Sequence, residues 1–200
     1  CRLIFGEADQ LPGLTVDRFG DVLSVQTLSL GMERRKREML DGLIEVLRER
    51  GLPVSCVYER NDVKIRELEG MEEYKGFYRS SLLDPAAEKI AVEITENGIR
   101  YEVDVENGQK TGFFLDQKFN RLAAAGIARG RHVLDCFTHT GAFALNAAKG
   151  GAASVTALDI SAEAVAMAAH NAEMNGLAVT AVQADVFDYL TELDKKKDHR

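Results

Sequence analysis

The sequence predicts an α/β fold in which a parallel sheet, covered by helices, follows a smaller α+β domain. Three observations lead there. Beyond Gly112, short apolar runs of strand character alternate with segments of helical periodicity, the order that builds a parallel sheet through right-handed crossovers. Three successive strand runs each close on an aspartate, Asp135, Asp159 and Asp185. Before residue 106 the pattern changes to paired, alternating strands around one amphipathic helix. The expected organisation is therefore an α+β domain over residues 1–106 and, over 107–200, the first half of a parallel-sheet domain cut off after its third strand.

Taken in order, LTVDRFGDVLSVQTLSL (14–30) alternates apolar and polar residues around Phe19-Gly20-Asp21 and reads as a hairpin with glycine in its turn. From Glu33 to Arg50, Met39, Leu40, Leu43, Ile44 and Leu47 recur at helical spacing, and Gly51-Leu52-Pro53 ends the run. VSCVYER (54–60) is a further strand. IAVEITENGIRYEVDVE (90–106) is a second hairpin whose Asn97-Gly98 suits positive φ. In the second domain DQKFNRLAAAGIARG reads as a helix capped by Asp116, RHVLDCF as a strand and GAFALNAAKGG as a helix. ASVTALD, a helix capped by Ser161, the strand VTAVQAD and the short helix VFDYLTEL complete the alternation.

Two hundred residues with 46% hydrophobic and 28% charged side chains suffice for a packed core, so disorder is not expected. No apolar run approaches the ~18 residues that span a bilayer, and Cys1 onward shows no basic start followed by a short apolar block and a cleavage site; a soluble, cytoplasmic protein without membrane contact is expected. Cys1, Cys56 and Cys136 are far apart and odd in number, which points to neither a disulfide framework nor a zinc site. The four histidines are equally scattered. A net charge of −7 argues against a chain that binds nucleic acid through its overall field. Any such binding would be local, and Arg34, Arg35, Lys36 and Arg37 form the candidate patch. The chain opens on Cys1 and closes on a charged tail, Lys195 to Arg200, so it is expected to be a piece of something longer.

One strand-helix repeat separates each strand-end aspartate from the next, which lines all three along one sheet edge. Asp159, following the second strand, is placed to accept both hydroxyls of a ribose, and Asp185, after the third, to accept from the amine of an adenine. The turn after the first strand decides which adenosine compound fits. A dinucleotide needs the GxGxxG spacing, whereas Phe137, Thr138, His139 and Thr140 fill this turn before Gly141. S-adenosylmethionine has no phosphate, and its sulfonium and amino-acid end suit Asp135 and the threonine hydroxyls.

GQKTGFFLDQKFNR (108–121), VLDCFTHTGAFALNAAKGGA (133–152), ALDIS (157–161) and NAEMNGL (171–177) resemble the bacterial S-adenosylmethionine-dependent ribosomal RNA methyltransferases that modify cytosine C5 in the large subunit. GEADQLPGLTVDRFGDVL (6–23) is similar to the segment that follows the RNA-binding PUA domain of that family. The resemblance implies a Rossmann-like class I methyltransferase sheet and S-adenosyl-L-methionine as cofactor. It further implies that Asp135, Phe137, Thr138, Thr140 and Gly141 contact the methionine part, Asp159 and Ile160 the ribose and adenine, and Asp185 and Val186 the adenine. The GFFLDQ block, implied to fold over the cofactor, nominates Phe114, Asp116 and Gln117, and less directly Lys110 and Asn120; Phe113 and Phe114 equally suit a core. His139 stands where the family has tyrosine and reads as a loop histidine facing solvent.

The reaction at cytosine C5 needs a cysteine thiolate on C6 and a base for the C5 proton. In the family the Pro-Pro motif follows the fourth strand and the cysteine comes later, so catalytic residues are expected beyond residue 200. Cys136, inside the first strand end, reads as a small packing residue. Ribosomal RNA of the large subunit is the implied partner. A homodimer through the first strand's exposed edge is a further expectation. An RNA or protein N-methyltransferase of the same fold, and a non-catalytic RNA-binding or assembly module, remain as alternatives.

Overall fold

A computed structural model describes residues 1–195, so the predicted tail beyond Lys195, His199 included, lies outside the described residues. The chain divides into two compact units, one of residues 1–94 and 103–115, the other of residues 95–102 and 116 onward.

In the first unit, β1 (Arg2–Phe5), β2 (Leu14–Phe19), β3 (Val22–Thr27), α1 (Leu30–Glu49), β4 (Cys56–Asn61), α2 (Ile65–Leu68) and β5 (Tyr74–Phe77) follow one another, and the strands form a sheet in sequential order. Only β3 and β4 are parallel, joined by α1 as the crossover. The predicted hairpin is present with Gly20 at φ +57. The helix starts three residues before Glu33 because the Ser29 hydroxyl accepts from the Met32 amide and caps it. Leu40, Ile44 and Leu47 of α1 pack onto Leu14, Val16, Leu23, Val25 and Val57 of the sheet. β1, β5 and α2 were not read from the sequence. Each is four residues long, too short for a period to register.

A network of charged groups closes one end of this unit. The Lys36 ammonium lies 2.9 Å from Glu33 and 2.7 Å from Glu59, and donates to the Tyr74 hydroxyl at 2.6 Å. The buried Arg66 guanidinium donates to Glu33 at 3.1 Å, to the backbone and hydroxyl of Thr27, and to the Glu72 carbonyl. Within it the Asn61 amide nitrogen, held by the Thr27 bonds to its oxygen, has no hydrogen-bond partner among the described residues. Lys36 thus faces inward, which takes it out of the predicted basic patch and leaves Arg34, Arg35 and Arg37 exposed.

The second hairpin, β6 (Ala91–Glu96) and β7 (Ile99–Asp104), turns at Asn97 and Gly98, both at positive φ as the dipeptide predicts. Its turn end, residues 95–102, belongs to the second unit. There α3 (Lys118–Ala128), β8 (His132–Cys136), α4 (Ala142–Lys149), β9 (Ser154–Asp159), α5 (Ala162–Met174), β10 (Thr180–Gln183) and α6 (Val186–Lys195) alternate. The three strands form a parallel sheet in the order β10-β9-β8, with β8 at an edge among the described residues. Ser161 caps α5 as expected, its hydroxyl accepting from the Ala164 amide. Asp116 does not cap α3. A 3-10 turn over Leu115–Gln117 delays the helix, so Gln117 takes the cap position. No helix among the described residues is long and apolar enough to cross a membrane.

Candidate functional site

The register of the parallel sheet sets the aspartates out as a staircase. Asp135 is level with Ala157, two residues short of Asp159, and Asp159 is level with Gln183, two residues short of Asp185. Side chains in a strand alternate faces, so steps of two keep Asp135 and Asp159 on the same face, each step advancing about 6.6 Å along the strands.

The connection from β8 to α4 is strained. Phe137, His139 and Gly141 have φ of +61°, +50° and +79°, two of them bearing side chains that disfavour this region. At Gly141 the requirement is steric as well as torsional: a Cβ would lie 2.8 Å from Leu145 Cδ1 and 2.9 Å from Ala168 Cβ. The glycine therefore lets α4 pack against α5. Being glycine, it has no side chain to cap α4, and Asp135 supplies the cap from the strand by accepting the Ala144 amide at 3.0 Å.

The carboxylates organise the turn. Asp135 Oδ2 also accepts the Thr138 hydroxyl at 2.6 Å, which engages that side chain inward. Asp159 Oδ2 accepts the His139 amide at 2.9 Å and its Oδ1 the Ser161 amide at 3.1 Å. Asp185 Oδ1 caps α6 through the Phe187 and Asp188 amides, with no hydrogen bond linking it to the other two. Each aspartate is thus a local cap, yet each retains acceptor capacity. Asp135 Oδ1 and Asp185 Oδ2 receive no hydrogen bond within the described residues.

The electrostatics at Asp135 disfavour its charged form. Burial pushes its carboxyl above the ordinary range and the Asp159 charge adds to the rise, against the hydrogen bonds from Thr138 and Ala144. A cation at Oδ1 would relieve both causes. Burial likewise pushes the Cys136 thiol up, with Asp135 reinforcing it, which keeps the sulfur protonated and poorly nucleophilic. His139 is half-buried rather than facing solvent, and burial lowers its pKa, Arg121 acting in the same sense and Asp159 opposing.

Large apolar side chains stand open beside these carboxylates. Phe137 is 61% exposed, Ile160 66% and Phe187 70%, and the Phe137 and Phe187 ring centroids lie 6.1 Å apart at 60°. Val186, nominated for an adenine, is instead buried at 3%. Its neighbour Phe187 occupies the surface and was missed. The signal was in the sequence: each strand-end aspartate is followed within two residues by a large apolar side chain, Phe137, Ile160 or Phe187. Thr140 is buried, its carbonyl accepting from Asn171. Gln117 accepts from Asn120 at 2.9 Å, and Asp116 is exposed. In the first unit Phe113 is a core aromatic, while half-exposed Phe114 lies under Lys110, whose ammonium is 4.5 Å from the ring centroid.

These residues fit a phosphate-free, cationic nucleoside. Two carboxylate oxygens await donors or positive charge, Asp159 can accept further hydroxyl donors, and exposed apolar faces suit a flat heterocycle.

A family model described as S-adenosylmethionine-dependent methyltransferase matches residues 80–197. The chain is 44% identical over 194 residues to ribosomal RNA large subunit methyltransferase I of Shewanella amazonensis, covering 96% of this chain and 46% of that protein. It is 43% identical over 202 residues to the protein of the same name from Aeromonas hydrophila, covering 98% and 48%. Among solved structures, a protein from Streptococcus mutans assigned as a SAM-dependent methyltransferase superimposes with a TM-score of 0.79 at 27% identity, over 98% of this chain and 48% of that one. Another solved chain, assigned as a methyltransferase and complexed with SAH, gives 0.78 at 28% identity with the same coverages. The chain spans about half the length of the curated relatives it matches.

Proposed function

The chain belongs to the S-adenosylmethionine-dependent methyltransferase family, and from that premise we propose that it is the cofactor-holding part of a cytoplasmic enzyme that methylates large-subunit ribosomal RNA at cytosine C5. The observation that carries the reading is Asp135, a desolvated carboxylate with one oxygen lacking a donor, beside Asp159 at the head of a turn that lacks the phosphate-binding glycines.

In this reading Asp135 Oδ1 receives the ammonium of the cofactor's methionine end, and Asp159 accepts the ribose hydroxyls while its bonds to His139 and Ser161 hold it in place. Asp185 Oδ2 accepts the adenine amine, and Phe137, Ile160 and Phe187 cover the purine. Thr138 and Thr140 shape the turn, Gly141 sets the packing of α4, and Val186 supports the pocket from beneath. Phe114, Asp116 and Gln117 act as the covering segment. When bound, the cofactor supplies a methyl group made electrophilic by its sulfonium.

Cytosine C5 becomes nucleophilic only after a thiolate adds to C6. The raised pKa of Cys136 argues against that role here, and we assign the thiolate to the additional length that the curated relatives carry. The names of those relatives support ribosomal RNA as substrate. β8 lies at the edge of the parallel sheet among the described residues, and pairing there with a second copy is part of the proposal.

Calorimetry of the full gene product tests the cofactor assignment. S-adenosylhomocysteine should bind, and Asp159→Ala should weaken it at least about tenfold by removing charge-assisted hydrogen bonds to hydroxyls. Unchanged affinity in the variant, or an isotherm with NAD and none with S-adenosylhomocysteine, defeats the assignment. Mass spectrometry of ribosomal RNA from a deletion strain tests the target: a lost 5-methylcytosine is expected.

A further inference from the structure

Helix α5 presents two asparagines one turn apart, Asn171 and Asn175, toward β7. Asn175 behaves like an extra strand residue. Its oxygen accepts the Arg100 amide at 2.9 Å and its nitrogen donates to the Arg100 carbonyl at 2.7 Å, so its carboxamide reproduces both bonds of a β-bridge. Asn171 accepts the Glu102 amide at 2.9 Å on the same strand. Its nitrogen, however, goes elsewhere, donating to the Thr140 carbonyl at 3.1 Å. Asn171 is fully buried, so no water substitutes for either bond.

We propose that Asn171 is a positioning residue that ties the 137–141 turn to β7, through one carboxamide shared between the Thr140 carbonyl and the Glu102 amide. The Thr140 carbonyl sits between two residues of positive φ, His139 and Gly141. A strained turn persists only where its surroundings over-determine it. Four restraints act on it here: the Thr138 amide on the Leu158 carbonyl, the His139 amide on Asp159, the Thr138 hydroxyl on Asp135, and Asn171 on Thr140. The first two come from β9 and the third from β8, whereas Asn171 brings in β7, a strand outside the parallel sheet. The consequence for ligand affinity rests on the reading that this turn faces the cofactor. The restraint itself does not.

Asn175 is the internal control, because it holds β7 equally well and does not reach the turn. Asn171→Asp keeps the acceptor for Glu102 and loses the donor to Thr140, while Asn175→Ala loses its two bonds to Arg100 and its bond to the Asn171 carbonyl, none of which reaches the turn. Hydrogen exchange of the full gene product should show the His139 and Gly141 amides exchanging about tenfold faster in Asn171→Asp and unchanged in Asn175→Ala. S-adenosylhomocysteine should bind about tenfold more weakly to the first variant and within about twofold of wild type to the second. Equal exchange at the turn in both variants overturns the proposal. If wild type shows no ligand binding while the exchange difference persists, the restraint stands and the cofactor reading falls. Should a carboxylate at 171 prevent folding, Asn171→Ala removes the donor without charge and loses the Glu102 bond as well, and comparison with Asn175→Ala, which also loses bonds to β7, decides.

Discussion

Glu33 and Asp135 are both carboxylates drawn partly out of water, and their surroundings push them in opposite directions. Burial raises each. At Glu33 the Thr27 hydroxyl, the Lys36 ammonium and the Arg66 guanidinium outweigh it and pull the carboxyl down to about 2. At Asp135 one hydroxyl and one backbone amide do not outweigh it, and the neighbouring Asp159 charge makes matters worse. In the first unit the folded chain supplies the cations itself. At the strand ends of the second it sets carboxylates beside one another, and the charge of Arg121 does not offset the burial of Asp135.

Cutting the closed network gives the largest expected effect. Arg66→Ala takes one of the two cations from Glu33 and leaves the Thr27 and Glu72 carbonyls without their buried donor, a loss of about 3 kcal/mol in denaturant unfolding. The pH dependence follows from the sign of the shift. A carboxyl whose folded pKa lies below its ordinary value of 4.5 stabilises the fold above that value, and the contribution drains away as pH falls toward 2. Wild type should therefore lose stability across that window, and Arg66→Ala should lose less. A variant within about 1 kcal/mol of wild type would mean that the network is decorative.

Asp135→Asn should behave in the opposite way. A carboxyl with a raised folded pKa favours the fold only while protonated, so its charge costs stability once pH rises past that pKa. Asparagine keeps an oxygen for Thr138 and Ala144 and removes the charge. The melting temperature at pH 7 should hold or rise, while S-adenosylhomocysteine affinity falls about 10–100-fold. If the melting temperature drops as steeply as for Arg66→Ala, Asp135 is a helix cap of the same kind as the closed network, and the contrast collapses.

The same contrast separates what the sequence discloses from what it conceals. The strand-end aspartates, Gly141 and the Asn97-Gly98 turn are legible because local chemistry at a fixed spacing dictates them. Helices α1, α4 and α5 are legible through their periods. The Arg66 network is not, since its members lie on β3, α1, β4, α2 and β5 and meet only after the sheet forms. For that reason Lys36 reads as part of a basic surface patch when it is an internal counter-ion. Asp116 misreads as a cap because a 3-10 turn and an α-helix share their opening residues. Asn171 is hidden within an alanine-rich helix, where nothing local reveals that its two partners come from different elements.

Phe187→Ala carries the smallest expected effect and sharpens the contrast most finely. The ring is 70% exposed, so its removal costs the fold little, whereas the adjacent Val186 is buried at 3%. Stacking against a flat heterocycle contributes about 0.5–1.5 kcal/mol, which predicts a two- to roughly tenfold weaker complex with S-adenosylhomocysteine and an unchanged melting temperature. Val186→Ala should show the reverse, a lower melting temperature with affinity altered only through that loss. Identical affinity in Phe187→Ala and wild type would remove the aromatic pair from the site. The strand-end carboxylates would then have to hold the nucleoside by charge and hydrogen bonds alone, and binding would weaken steeply with added salt.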